Sequence, residues 1–167
     1  NLSPTLSNSA FGSSTSEVSA LQAKIARLNA EVRGAMPSYA GSAPDQVAVE
    51  RSLHAARSAE LSSIRAVGAA RVHQAQRAVI EAGSALDARR SNLSAAQREL
   101  EMIRPLAEKL IVPKIDLIKA ENAAQVARND VDSAVAALAR ARSGVAEAHA
   151  QTAQQNSDWK SRAGMEL

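Results

Sequence analysis

Cysteine is absent from the 167-residue chain, and aromatic residues are almost absent, with one Phe, one Tyr and one Trp. Without cysteine the chain can form neither a disulfide framework nor a thiolate metal site. The absence of cysteine fits a reducing and an oxidising compartment equally. So few aromatic residues argue against an ordinary globular core. They also leave no row of rings on which nucleic-acid bases could stack.

Long apolar runs and blocks of like charge are missing as well. No apolar stretch approaches the roughly 18 residues of a membrane-spanning helix, and no secretory leader is recognisable. A fragment cut from a membrane-anchored parent would look the same, so these absences do not make the parent cytosolic. The net charge of +3 comes from interleaved cations and anions, which is typical of a solvated coiled-coil surface and predicts no nucleic-acid partner.

Motifs of catalysis and metal binding are also missing. The chain has no HExxH, P-loop, GxSxG or GxGxxG pattern. Its histidines, His54, His73 and His149, have no neighbours at metal-ligand spacing, apart from Glu50 one helical turn before His54. A pair of helices offers no concave pocket that would desolvate a carboxylate. We therefore predict that the protein is not an enzyme and has no catalytic residues, metal site or cofactor.

What the chain does contain is alanine, in segments whose apolar residues recur with the periodicity of an α-helix. Alanine makes up roughly a fifth of the residues and has the best helix propensity. Because its side chain buries little area, an alanine-rich chain must gain its burial along length. We predict an all-α fold, namely a long antiparallel coiled-coil helical hairpin with an additional short N-terminal helix.

The N-terminal part is predicted to hold one short helix between two irregular segments. Residues 1–13 are rich in Ser, Asn and Thr without any period, and we expect them to be flexible. The helix is predicted over residues 14–34, opened by a capping box from Ser14 to Glu17. Residues 35–43 form a linker, within a stretch from Gly34 to Pro44 that holds two Gly and two Pro. The apolar positions of this first helix are Val18, Leu21, Ile25, Leu28 and Val32.

Residues 44–167 are predicted to form the hairpin, with its tip near residues 105–113. Each long helix carries one apolar seam with heptad spacing, which indicates a left-handed coiled coil. In the second helix the seam is Val72, Ala75, Val79, Ala82, Leu86, Arg89, Leu93, Ala96, Leu100 and Ile103. In the third it is Leu117, Ala120, Ala124, Ala127, Val131, Ala134, Leu138, Ala141, Val145, Ala148, Thr152, Gln155 and Trp159.

A short loop between the helices selects one register for the two seams. In that register large residues face alanines, which fills each layer and lets the helices approach closely. Predicted pairs include Leu93/Ala127, Leu86/Ala134, Ala82/Leu138 and Val79/Ala141. Two layers are weak, because Arg89 faces Val131 and Gly68 faces Thr152. We expect the Arg89 guanidinium to reach solvent.

The same register centres the chain reversal on Leu110. This residue opens an apolar triplet, Leu110, Ile111 and Val112, between Pro105 and Pro113. The triplet could tuck between the helix ends and staple the loop. Three successive residues cannot all point inward, however, so at least one should be exposed. An exposed apolar tip with no core to cover indicates an interaction site.

Two segments resemble HlyD-type membrane fusion proteins, the periplasmic adaptor subunits of type I secretion systems. Residues 44–64, with Glu50 and Arg57, resemble the start of the long helix in that family. Residues 106–122 resemble its hairpin tip, usually L-x-x-x-G-h-[IV]-S-K/R. Leu110 stands where the family usually has glycine, and Pro113 where it has Ser or Thr. The similarity covers nearly the whole chain.

The resemblance implies a location and a set of partners. The chain would be the periplasmic hairpin of a protein anchored in the inner membrane of a Gram-negative bacterium. In the full protein the adaptors would form a homo-oligomer, a hexameric ring, on an ABC transporter bound through parts outside this chain. The hairpin tips would meet a TolC-type outer-membrane channel. The partner-binding residues would be Leu106, Lys109, Leu110, Ile111 and Val112.

Two other functions stay open at this point. An EmrA-like adaptor of a tripartite drug efflux pump would be distinguished by the neighbouring transporter gene. A scaffolding coiled coil with no transport role would lack lipoyl half-motifs in the parent sequence.

The register of the two long helices also bears on the first helix. It places the partner of the Val18–Val32 seam beyond the end of the sequence. We therefore expect the first helix to fold back or to pack on a neighbouring molecule.

Overall fold

The chain is all α-helical over the part that the computed structural model describes, residues 4–166, with side chains from residue 12 onward. Three helices follow one another in this range: α1 (Pro4–Arg33), α2 (Pro44–Glu108) and α3 (Lys114–Met165). The predicted all-α fold is confirmed. None of the described helices is long and apolar enough to cross a membrane. Residues 1–3 of the predicted flexible segment lie outside the described range.

The first helix is longer than the sequence predicts. It begins at Pro4, ahead of the capping box at Ser14, so it includes residues that we predicted to be irregular. Proline is well suited to a first helical turn, and no other proline follows before the linker. Once a helix is nucleated, each added residue gains a hydrogen bond at little further cost. The helix can therefore extend through a segment whose strong helix formers are only Leu6 and Ala10.

Compact packing divides the chain into two units. We call Asn1–Ala69 with Gln151–Leu167 the three-helix unit, because α1, the start of α2 and the end of α3 pack there. We call Ala70–Ala150 the two-helix unit, because it contains the remainder of α2 and α3 with the chain reversal between them.

In the two-helix unit, α2 and α3 pack along the predicted seams. All the apolar seam positions between Val72 and Ala148 are buried or half-buried, and Leu86, Ala120 and Ala124 are the most enclosed. The helices run antiparallel, since the ion pairs join Arg89 to Asp130 and Arg104 to Glu121. Arg89 lies half exposed with its guanidinium 3.3 Å from the Asp130 carboxylate. The predicted antiparallel coiled coil and its register are confirmed here.

The same register continues in the three-helix unit, where Gly68 lies against Thr152 as predicted. A Cβ atom added to Gly68 would lie 2.5 Å from Thr152 Cγ2 and 2.8 Å from Thr152 Oγ1. This layer is therefore closely packed, whereas the sequence suggested only a layer with little to bury. The glycine is required here because α2 and α3 approach too closely for any side chain at its position.

The first helix does fold back, but through a different face from the predicted seam. It runs parallel to α2, because Ser19 Oγ accepts a hydrogen bond from Ala43 N and, further along, Arg27 pairs with Glu50. Its buried residues are Ala23, Arg27, Leu28, Ala30 and Glu31. Of the predicted seam only Leu28 is buried, while the rest is exposed: Val18, Leu21, Ile25 and Val32. Small alanines, complementary charges and Leu28, rather than the whole predicted seam, form this contact.

Candidate partner-binding site at the hairpin tip

The chain reverses through a Schellman motif at the end of α2. Ile111 N donates a hydrogen bond to Leu106 O at 2.9 Å, and Leu110 N donates one to Ala107 O at 3.0 Å. This pair of bonds requires a left-handed residue just beyond the helix, and Leu110 adopts that conformation with φ 57°. The reversal therefore lies at Leu110, where the seam register places it.

The tip loop is shorter than predicted. The second helix continues past Pro105 and ends at Glu108, and α3 begins at Lys114. Proline lacks the N–H that would otherwise bond to the carbonyl four residues earlier. Because Pro105 lies in the last turn, the helix loses that bond only near its end. The irregular tip is thus confined to residues 109–113, within the predicted 105–113.

The predicted tip residues differ in exposure. Leu110 is 79% exposed and Ile111 65% exposed, while Leu106 is 37% exposed. Lys109 is exposed as well, and Val112 is half-buried. Both interpretations of the triplet therefore hold in part: Val112 tucks against the hairpin, and its two predecessors project from it.

Val112 lies in a shallow groove between the helix ends. The floor of the groove is apolar, formed by Val112, Ile103, Ala120 and Ala123, and charged side chains surround it. On its rim Lys119 Nζ lies 3.9 Å from Asp116 Oδ1. The tip therefore joins an exposed apolar apex to an apolar groove with a charged margin, which is the composition of a protein-binding surface.

Further apolar residues near the tip escaped the sequence analysis. Met102 is 65% exposed, Ile115 54% and Ile118 49%. They lie outside the heptad seams, and the analysis treated residues outside the seams as solvated surface. A search for a second apolar spacing could have found them, since Met102 lies one turn before Leu106 and Ile115 one turn before Ile118.

The three-helix unit contains a second cluster of functional interest, a network of charges in which Arg27 and Glu31 are buried. Arg27 donates to Glu31 Oε1 at 2.8 Å and to Glu50 Oε2 at 2.6 Å. Arg57 Nε lies 2.9 Å from Glu31 Oε2, and Arg57 Nη1 donates to Glu166 at 3.1 Å. Arg57 also lies over the Trp159 ring, 5.7 Å from its centroid. We call these five charged residues the α1 charge cluster.

The α1 charge cluster keeps Arg27 protonated. Burial alone lowers the pKa of Arg27, but its hydrogen bonds to Glu31 and Glu50 outweigh burial and raise that pKa above its ordinary value. Glu50 and Arg57, which carry part of the family resemblance, therefore hold α1 against α2. The sequence analysis did not identify Arg27 and Glu31, because two charged residues one turn apart usually mark a solvated helix face.

Among the residues whose positions are described, no group of His, Asp or Glu is arranged to hold a metal ion. His54 Nδ1 lies 3.9 Å from Oε1 of Glu31, which is a member of the α1 charge cluster. What the tip can do is present apolar side chains to another protein.

Comparison with known proteins supplies one match. A sequence family described as "AprE, long alpha-helical hairpin" matches residues 7–167. No curated protein and no solved structure gives a significant match. The family match spans the tip as well as the residues of the α1 charge cluster.

Proposed function

The chain belongs to the AprE long alpha-helical hairpin family, whose members are hairpins of type I secretion adaptors, and from that premise we propose a bridging role. The hairpin extends through the periplasm in an HlyD-type adaptor whose other parts are anchored in the inner membrane and bind an ABC transporter. Its tip docks on a TolC-type outer-membrane channel. The adaptors act as a hexameric ring.

The exposed apex of the hairpin carries this proposal. Leu110 and Ile111 remain 79% and 65% exposed, although the reversal itself is already secured by backbone hydrogen bonds. Exposed apolar side chains at the end of a hairpin stabilise nothing within the chain, and they gain free energy when a partner covers them. In a ring of adaptors, several such weak contacts act together and raise the overall affinity.

The alternatives gain no support from these observations. An EmrA-like efflux adaptor could use a similar tip, but the family that matches the chain is that of secretion adaptors. A scaffolding coiled coil would have no use for two exposed apolar residues at its apex.

The proposal is tested by Ile111→Asp in the full-length adaptor. Burying an unpaired carboxylate in an apolar contact costs several kcal/mol, so we expect export of the secreted substrate to fall about tenfold or more. The side chain is 65% exposed in the free hairpin, so helix content and melting temperature should stay unchanged. Substrate in the culture medium and circular dichroism of the purified adaptor measure the two effects.

Ile80→Asp is the matched control. Ile80 also lies in the two-helix unit and is 68% exposed, but it belongs to α2 rather than to the tip. We expect export to survive this change. Normal export by the Ile111→Asp adaptor would refute tip docking, and an equal loss in both variants would remove the special role of the tip.

A further inference from the structure

Leu110 holds a backbone conformation that disfavours its own side chain. Its φ of 57° lies in the left-handed region, where the Cβ atom of any L-residue crowds the following carbonyl. The chain contains a direct comparison at the end of α1. There Gly34 has φ 68°, and the same two bonds form, from Ala35 N to Ala30 O and from Gly34 N to Glu31 O.

The two Schellman motifs have the same hydrogen bonds, and the difference that matters here is the side chain of the left-handed residue. At Gly34 the residue meets the backbone requirement without strain. At Leu110 the same requirement is met by a branched side chain that is 79% exposed, so the fold gains almost no burial in return. The strain is therefore not compensated within the chain.

The motif also fixes the backbone that carries this side chain. Hydrogen bonds secure the residue on both sides, from Leu110 N to Ala107 O and from Ile111 N to Leu106 O. A side chain presented from an ordered backbone loses less conformational entropy on binding than one presented from a mobile loop. The backbone of Lys109 is also held, by a hydrogen bond from its N to Pro105 O, but its long side chain is more flexible than that of Leu110.

We propose that Leu110 is the anchor residue of the tip, inserting into an apolar pocket between helix ends of the partner channel. This inference rests on the proposed function and deepens it, because it assigns the recognition to one side chain. The pocket would be apolar and about the size of a leucine side chain. Ile111 and Leu106, exposed beside the anchor, would cover the margin of the contact.

The test is Leu110→Gly in the full-length adaptor, with binding to the TolC-type channel of the same secretion system, purified in detergent. Glycine relieves the strain, so we expect the melting temperature to rise. Loss of a buried leucine should weaken channel binding about tenfold to a hundredfold. A residue with a purely structural role would not move the two quantities in opposite directions.

Two further variants keep the result unambiguous. Leu110→Asn retains a side chain that tolerates the left-handed region, so we expect near-normal stability with the same loss of binding. Gly34→Leu introduces the same strain in the other Schellman motif, and it should lower the melting temperature without affecting channel binding.

Each outcome decides between the proposals. If the Leu110→Gly and Leu110→Asn adaptors bind the channel normally while Ile111→Asp does not, the anchor is wrong and tip docking stands. If all three bind normally, tip docking fails as well. If Leu110→Gly lowers the melting temperature, Leu110 serves the fold, and the anchor inference is overturned.

Discussion

At the scale of single residues, Gly68 shows how closely the hairpin helices are packed. The nearest atoms that an added Cβ would meet are Thr152 Cγ2, Oγ1 and Cβ, the last at 3.2 Å. Threonine is branched at Cβ and has few alternative rotamers, so it cannot easily move away. Any side chain at residue 68 must therefore push the two helices apart.

Gly68→Ala should destabilise the hairpin by about 1–3 kcal/mol through overpacking, measured by urea denaturation. Gly83→Ala is the control, because a Cβ at Gly83 meets nothing within 4 Å. That variant should gain about 1 kcal/mol from helix propensity. Adding Thr152→Ala to Gly68→Ala should recover much of the loss. If Gly68→Ala is as stabilising as Gly83→Ala, the register is wrong.

Single residues were predictable where a pattern determined them. Heptad spacing together with a short loop placed Gly68 opposite Thr152 and the reversal at Leu110, because one register of the two seams fixes every facing pair. It did not reveal the left-handed conformation of Leu110, since sequence statistics associate that conformation with glycine. Nor did it separate Val112 from Ile111, because local sequence does not say which residue of an apolar triplet turns inward.

At the scale of elements, α2 and α3 were predictable, whereas for α1 the sequence predicted the presence and the end of the helix but not its start or its buried face. The long seams repeat over many heptads, so burial along them leaves a clear periodic signal. The signal on α1 was equally regular but misleading: Val18, Leu21 and Ile25 are 46–57% exposed. Which face of a short helix is buried depends on what the rest of the fold offers. Here α2 offers Glu50 and Arg57, and Glu166 follows directly after α3. The face of α1 that bears Arg27 and Glu31 meets these three residues.

The α1 charge cluster leads to a prediction about the docking of this helix. Glu31→Gln removes the carboxylate that pairs with both Arg27 and Arg57, while the Glu31 side chain is only 1% exposed. Arg27 keeps its pair with Glu50 and Arg57 keeps its pair with Glu166, but both lose the buried carboxylate, and breaking a buried ion pair costs about 3 kcal/mol or more. We expect the hydrogen-exchange protection of α1 amides to fall about a hundredfold, while protection in the two-helix unit is unchanged.

Glu60→Gln serves as the control for this experiment. It removes an ion pair of the same unit, Glu60 with Arg162 at 3.6 Å, in which both side chains are about half exposed. Such surface pairs contribute between about 0 and 1 kcal/mol, so α1 should stay protected. Unchanged protection of α1 in Glu31→Gln would show that the α1 charge cluster does not hold the helix.

The pKa of Arg27 is raised above that of a free arginine, so Arg27 stays charged at every pH below the ordinary arginine pKa. The stability that its ion pairs contribute is lost only in strong alkali.

At the scale of the whole molecule, the proposed role of the fold is to present its tip. The alanine-rich seams bring α2 and α3 close together, the Schellman motif reverses the chain in five residues, 109–113, and the apolar apex is left uncovered. Composition and periodicity predicted the hairpin because both are properties of the chain itself. A channel could be proposed as the partner of the tip only through the family resemblance, since a partner leaves no trace in the sequence beyond an exposed apolar surface.

Contact between the tip and the channel is tested most directly by photo-crosslinking in cells. Benzoylphenylalanine is placed at Ile111 of the full-length adaptor, and at Ile80 as the control, because the two side chains are similarly exposed. We expect irradiation to join the adaptor to the outer-membrane channel from residue 111 and not from residue 80, as detected by antibody against the channel. Absence of that product from residue 111, or equal yields from both residues, would contradict the account.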